Sequence, residues 1–174
     1  MTHLPEMRSL DDIFDELQSR DDCTFRPPTG LPKLPEGLRL PDDLSAFYAR
    51  FSEARLFGDK YDPRYHILPP EEFAQIGIAI CGEETSEPIQ KSWYSLAHVQ
   101  DGNYIAIDCG ASRPGYCYDA FHETIRLLSY CKVIARTFTE LMNIAILAGD
   151  DAWWIEDGFQ GYGYADKLGG PVAG

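Results

Sequence analysis

A chain of 174 residues, 44% apolar and 25% charged, is the size of about one domain and has enough apolar side chains to bury a core without disulfide staples. Its 28 acidic residues outnumber 15 lysines and arginines, and the resulting net charge of -13 repels nucleic acid and anionic membranes while drawing a basic partner. The same charge also serves plain solubility, and it says nothing about fold.

The opening Met1-Thr2-His3-Leu4-Pro5-Glu6 has no basic segment followed by an apolar run, so no signal peptide is expected. No stretch reaches the ~18 apolar residues of a membrane span. Cys23, Cys81, Cys109, Cys117 and Cys131 form an odd, scattered set, which points to reduced thiols and a cytoplasmic location.

Ser9-Leu10-Asp11-Asp12 has the form of a capping box, and Leu10, Ile13, Phe14 and Leu17 follow at helical spacing. A proline-rich surface connector is expected from Arg26 to Pro41. Pro41-Asp42-Asp43 starts a second helix, because proline fits the first turn and the acids complement the helix dipole. Leu44, Phe47, Tyr48 and Phe51 form its apolar stripe, and it should end before Gly58. Tyr65–Leu68 reads as a short strand, Pro69–Phe73 as a helical turn and Ile76–Ile80 as a buried strand, with an acidic loop of Glu83, Glu84 and Glu87 after it.

Trp93–Val99 reads as a strand. Asp101-Gly102-Asn103 supplies hairpin chemistry, and Tyr104–Asp108 alternates with Ile105 and Ile107 on one face. A turn over 110–115 leads to a third strand at Tyr116-Cys117-Tyr118, which makes an antiparallel meander. The longest helix is expected from Val133 to Ala148, stopped by Gly149. The tail beyond it interleaves Trp153, Trp154, Phe159, Tyr162 and Tyr164 with acids. Large aromatics are usually mostly buried, so the tryptophans are read as packing the tail onto the sheet, with an interface anchor as the alternative.

Chemistry finds little support. Cys109, Cys117 and His122 are near in sequence, but no Cys-x-x-Cys pair exists and no zinc spacing is matched. No local signature surrounds any cysteine to pair it with His98 or His122 as a nucleophile. Asp101, Asp108 and Asp119 would do acid–base work only inside a pocket. Glycine-rich nucleotide motifs and basic patches are absent from the sequence. The expectation is no catalytic, cofactor or metal site.

Several segments in order resemble the SUKH superfamily, the group that includes a yeast cell-wall synthesis regulator and many bacterial immunity proteins. They are Leu40-Pro41-Asp42-Asp43-Leu44-Ser45-Ala46-Phe47-Tyr48, Tyr65 through Phe73, Trp93 with Asp101 through Asp108, Gly115-Tyr116-Cys117-Tyr118, and Ile134 through Leu141. The match spans roughly residues 10–148. It departs around Ser52-Glu53, where the family's Asn-Gly is missing, and at Thr137, where serine is common.

The resemblance implies an α+β fold, with a mainly antiparallel sheet of about five to six strands and helices packed against it. It implies one domain over 1–174, with a core at about 10–148 and an aromatic, acidic extension at 150–174. It also implies a non-enzymatic immunity protein, a monomer or weak dimer, that binds and neutralises a cognate bacterial toxin, expected to be a basic nuclease or another toxin that attacks nucleic acid. Neither nucleic acid nor membrane is expected as a partner. A general regulatory adaptor is the alternative, and an enzyme is the third reading. The expected contact residues are the acids Glu83, Glu84, Glu87, Asp101, Asp150 and Asp151, with Tyr116 and Tyr118 as aromatic anchors.

Overall fold

The computed structural model describes residues 6–59, 61–149, 151, 153–155, 159 and 161–167. Its centre is a seven-stranded antiparallel sheet in which sequence order is also spatial order. The strands are β1 (Cys23–Arg26), β2 (Glu53–Asp59), β3 (Asp62–Ile67), β4 (Trp93–Val99), β5 (Asn103–Asp108), β6 (Cys117–Ala120) and β7 (Val133–Ala135). Four α-helices accompany it: α1 (Leu10–Gln18), α2 (Asp42–Arg50), α3 (Ile76–Cys81) and α4 (Phe138–Ala148).

Local chemistry sets the helix starts. The Ser9 hydroxyl accepts from the Asp12 amide at 3.2 Å, satisfying one orphan donor of α1. The Thr137 hydroxyl does the same for Glu140 at 3.0 Å in α4. Asp43 ties α2 to α4, because one carboxylate oxygen accepts from both the Thr139 amide (2.8 Å) and its hydroxyl (2.9 Å).

Alternation along the strands divides the side chains between two faces. Ala54, Leu56, Tyr65, Ile67, Ala97, Val99, Ile105 and Ile107 point to the face covered by α1, α2 and α4. Phe14 sits at the centre of that core, with ring centroids 5.4 Å from Phe47, 5.6 Å from Phe51 and 6.1 Å from Phe25. Trp153 and Trp154 of the tail are buried in the same cluster. The opposite, outer face has a smaller core over its second half, formed by Ile76, Trp93, Ala106, Tyr118, Ala120, Ile125, Cys131 and Val133.

The structure corrects four expectations. The apolar run Ile76–Ile80 is α3, not a strand: the Gln75 side-chain oxygen accepts from Gly77 N (2.9 Å) and Ile78 N (3.3 Å), a helix cap. A short apolar run has no period that separates helix from strand. The final helix begins at Phe138, and Val133–Ala135 instead pairs with β6 as the last strand. β1 precedes the proline connector, and β2 follows α2 directly. The sheet therefore has seven strands where five to six were expected.

Candidate partner-binding surface

The acidic loop after α3 is held by buried amides. Gly82 ends the helix in the left-handed region at φ 77°. The chain then folds back across Gly77, where a Cβ would stand 2.6 Å from both Glu83 O and Thr85 N. Gln90 is fully buried. Its side-chain nitrogen donates to Ile125 O at 2.6 Å, and its side-chain oxygen accepts from the Thr85 hydroxyl at 2.7 Å. The Gln75 side-chain nitrogen donates to Gln90 O at 2.9 Å. Buried polar groups this fully satisfied hold one geometry.

Glu83 and Glu84 are exposed on this frame and Glu87 is half-buried. Arg126 reaches Glu83 at 3.1 Å, with both side chains more than two-thirds exposed, so water screens the pair. A cleft of about 260 Å³ lies between these acids, Gln90 and Arg126. It offers carboxylates to a basic side chain.

The other expected contacts do not join this loop. Asp101 stands in the 3-10 turn Gln100–Gly102 between β4 and β5. Asp151 is exposed on the helix side of the sheet, where its carbonyl accepts from the Tyr65 hydroxyl at 3.2 Å. Asp150 lies outside the described residues. Tyr116 is half-buried at the margin of the outer-face core.

Tyr118 must be withdrawn as a surface anchor. It is fully buried and stacks on Trp93 with centroids 3.8 Å apart and planes 15° from parallel. Burial in the outer-face core keeps it from meeting any partner, and burial also pushes its phenol above the ordinary range.

The thiols and carboxyls bear on catalysis. Burial raises Cys23 to about 11 and Cys109 and Cys131 to about 12, and it drives Cys117 up as well. These four thiols stay protonated at neutral pH, the unreactive form. Asp108 accepts from the Ser92 hydroxyl at 2.6 Å and from Gly110 N at 2.8 Å. Asp119 pairs in register with Ile105 on the opposite face of the sheet, so these two carboxyls do not share a site. Burial lifts Asp119 to about 6, against the pull of Lys132. Among the described residues no group of three or more His, Cys, Asp or Glu is placed to hold a metal ion, and no helix is long and apolar enough to cross a membrane.

Comparison with known proteins places this architecture. The chain is 32% identical over 158 residues to "Immunity protein YokJ" of Bacillus subtilis (strain 168), covering 90% of this chain and 95% of that protein. No solved structure matches it significantly. The family model of the SMI1 / KNR4 family (SUKH-1) matches residues 33–144, from the middle of the proline connector into α4. A match over more than half of the chain, on an open antiparallel sheet carrying helices, shows that the protein belongs to the SMI1 / KNR4 family (SUKH-1).

Proposed function

We propose that this chain is an immunity protein that binds a cognate bacterial toxin domain and blocks it by occlusion, with no catalysis of its own. The observation that carries this reading is the near full-length relationship to a protein named as an immunity protein. Four buried, protonated thiols and two carboxyls on separate faces also favour binding over reaction.

The toxin is proposed to be basic, a nuclease or another nucleic-acid-targeting domain. A net charge of -13, with Glu83 and Glu84 exposed on a rigid loop, supports that choice, because complementary fields accelerate encounter. In this reading residues 1–174 act as one SUKH-like unit in the cytoplasm, as a monomer or weak dimer that avoids nucleic acid and membranes. Tyr116 contributes aromatic surface, and the acids at Glu87, Asp101, Asp150 and Asp151 extend the field.

The experiment is protection. Cells expressing the toxin encoded beside this gene should survive when the protein is co-expressed. The Glu83→Lys/Glu84→Lys variant should associate roughly tenfold more slowly at low ionic strength, and the difference should shrink at high salt. Absence of protection by the wild-type protein overturns the reading. Recovery of many unrelated partners in place of one toxin would favour a regulatory adaptor.

A further inference from the structure

Alternation along β2 and β3 breaks at one residue. Leu56 pairs in register with Tyr65 and Gly58 with Pro63, so Phe57 and Arg64 are cross-strand neighbours. Leu56 and Tyr65 point to the helix side, and the period of two sends Phe57 and Arg64 to the outer face. Arg64 follows that rule. Phe57 does not: it is 4% exposed and belongs, like Leu56 before it, to the helix-side core.

The backbone shows how. Phe57 has φ 61°, and among the described residues it is the one residue other than glycine with a positive φ. Gly58 follows at φ 146°. Two successive positive angles carry the ring through the plane of the sheet. The left-handed region is unfavourable for phenylalanine, because its Cβ crowds the following carbonyl oxygen. A residue stays there only where its surroundings hold it. Burial in the core is one such hold. The Tyr65 ring meets Phe57 edge-on with centroids 6.0 Å apart, and the Arg20 guanidinium carbon stands 5.1 Å from the ring centroid. Asp22 fixes that guanidinium with two 2.8 Å bonds.

The place that alternation assigns to Phe57 on the outer face is left open beside Arg64. Arg64 is half-buried, and its Nε is buried with no hydrogen-bond partner among the described residues. Directly opposed side chains are about 5 Å apart at Cβ, within reach of a guanidinium lying over a ring. Phe57 therefore has a cation on each side of the sheet, Arg20 within and Arg64 without. The side chains around that outer position, Arg55, Asp62 and His66, are polar or charged.

We propose that Phe57 is a two-position switch: inward, as in this structure, and outward, where an extended backbone returns the ring to the outer face over Arg64. The outward position relieves the left-handed φ and gives Arg64 a ring to stack on. It gives up the buried contacts with Tyr65 and Arg20, so the inward position dominates and the outward one is a minor population, on the order of 1%. The consequence is for the surface. With the ring inward, this part of the outer face presents polar and charged groups. With the ring outward it presents an aromatic side chain backed by a guanidinium, the residue types on which interfaces are anchored. The switch is independent of the toxin reading.

Relaxation-dispersion NMR on the full chain tests it, since exchange between two backbone positions falls in the μs–ms range. The amides of Phe57 and Gly58 and the Nε–H of Arg64 should report one common exchange process. Arg20→Gln removes the inward cation and should raise the minor population about threefold; Arg64→Gln removes the outward one and should lower it about threefold. General loosening of the strands would raise exchange in both variants, so the opposite signs are the signature. In a Phe57→Leu background, which keeps an apolar side chain without a ring, Arg20→Gln should no longer change the population. Absence of exchange at Phe57 and Gly58, a shift in the same direction in both arginine variants, or an undiminished effect of Arg20→Gln in the leucine background overturns the proposal.

Discussion

Replacing Gln90 with alanine tests whether the acidic loop is held by its buried amides. The side chain is fully buried, and it makes a 2.6 Å bond to Ile125 O and a 2.7 Å bond from the Thr85 hydroxyl. Each bond contributes about 1 kcal/mol net, and a buried carbonyl left without a donor costs about 1–3 kcal/mol more. The vacated volume adds a further cavity cost. The sum is about 2–4 kcal/mol of global stability. Chemical denaturation monitored by tryptophan fluorescence measures it, because Trp93 lies in the core beside this network. Hydrogen exchange should also quicken first at residues 83–87, since Thr85 anchors that loop through Gln90. A loss below about 1 kcal/mol, or exchange at 83–87 that stays at the wild-type rate, would refute the claim that Gln90 holds the loop.

Other predictions probe different parts of the molecule. Burial raises the Asp119 carboxyl from 3.8 to about 6, so the stability this group contributes should be fully present below about pH 4 and be lost as pH rises to about 6. Asp119→Asn should flatten that decline and gain up to about 3 kcal/mol at pH 7, from roughly 1.36 kcal/mol per pKa step, as read by thermal unfolding across pH. Phe14→Ala removes the ring at the centre of the helix-side core and should cost about 3–5 kcal/mol in denaturant unfolding. Gly58→Ala should destabilise by at least about 1 kcal/mol, because the residue has φ 146° and a Cβ would stand 2.7 Å from Asp62 O.

The elements that could be read from the sequence have a local chemical cause. Ser9 caps α1, and Asp101-Gly102-Asn103 turns β4 into β5 with Val99 opposite Asn103. The misread elements are those whose identity depends on partners distant in sequence. Val133–Ala135 is apolar and precedes a helix without a break in hydropathy, so a continuous helix fits it as well. It becomes a strand because β6 offers a ladder and the tail seals its other edge, through Val133 N donating to Gly163 O at 2.8 Å. The same holds for Ile76–Ile80, where only the cap from Gln75 separates helix from strand.

That second error explains the one about the surface. Alternation correctly puts Tyr116 and Tyr118 on one face of their strand, but it does not say what covers that face. A strand at Ile76–Ile80 would leave open what lies over Tyr118. As α3, the same segment places Ile76 against Trp93 and Tyr118 and closes the outer core. The exposure of Glu83 and Glu84 was legible because unpaired glutamates in a loop are almost never fully buried.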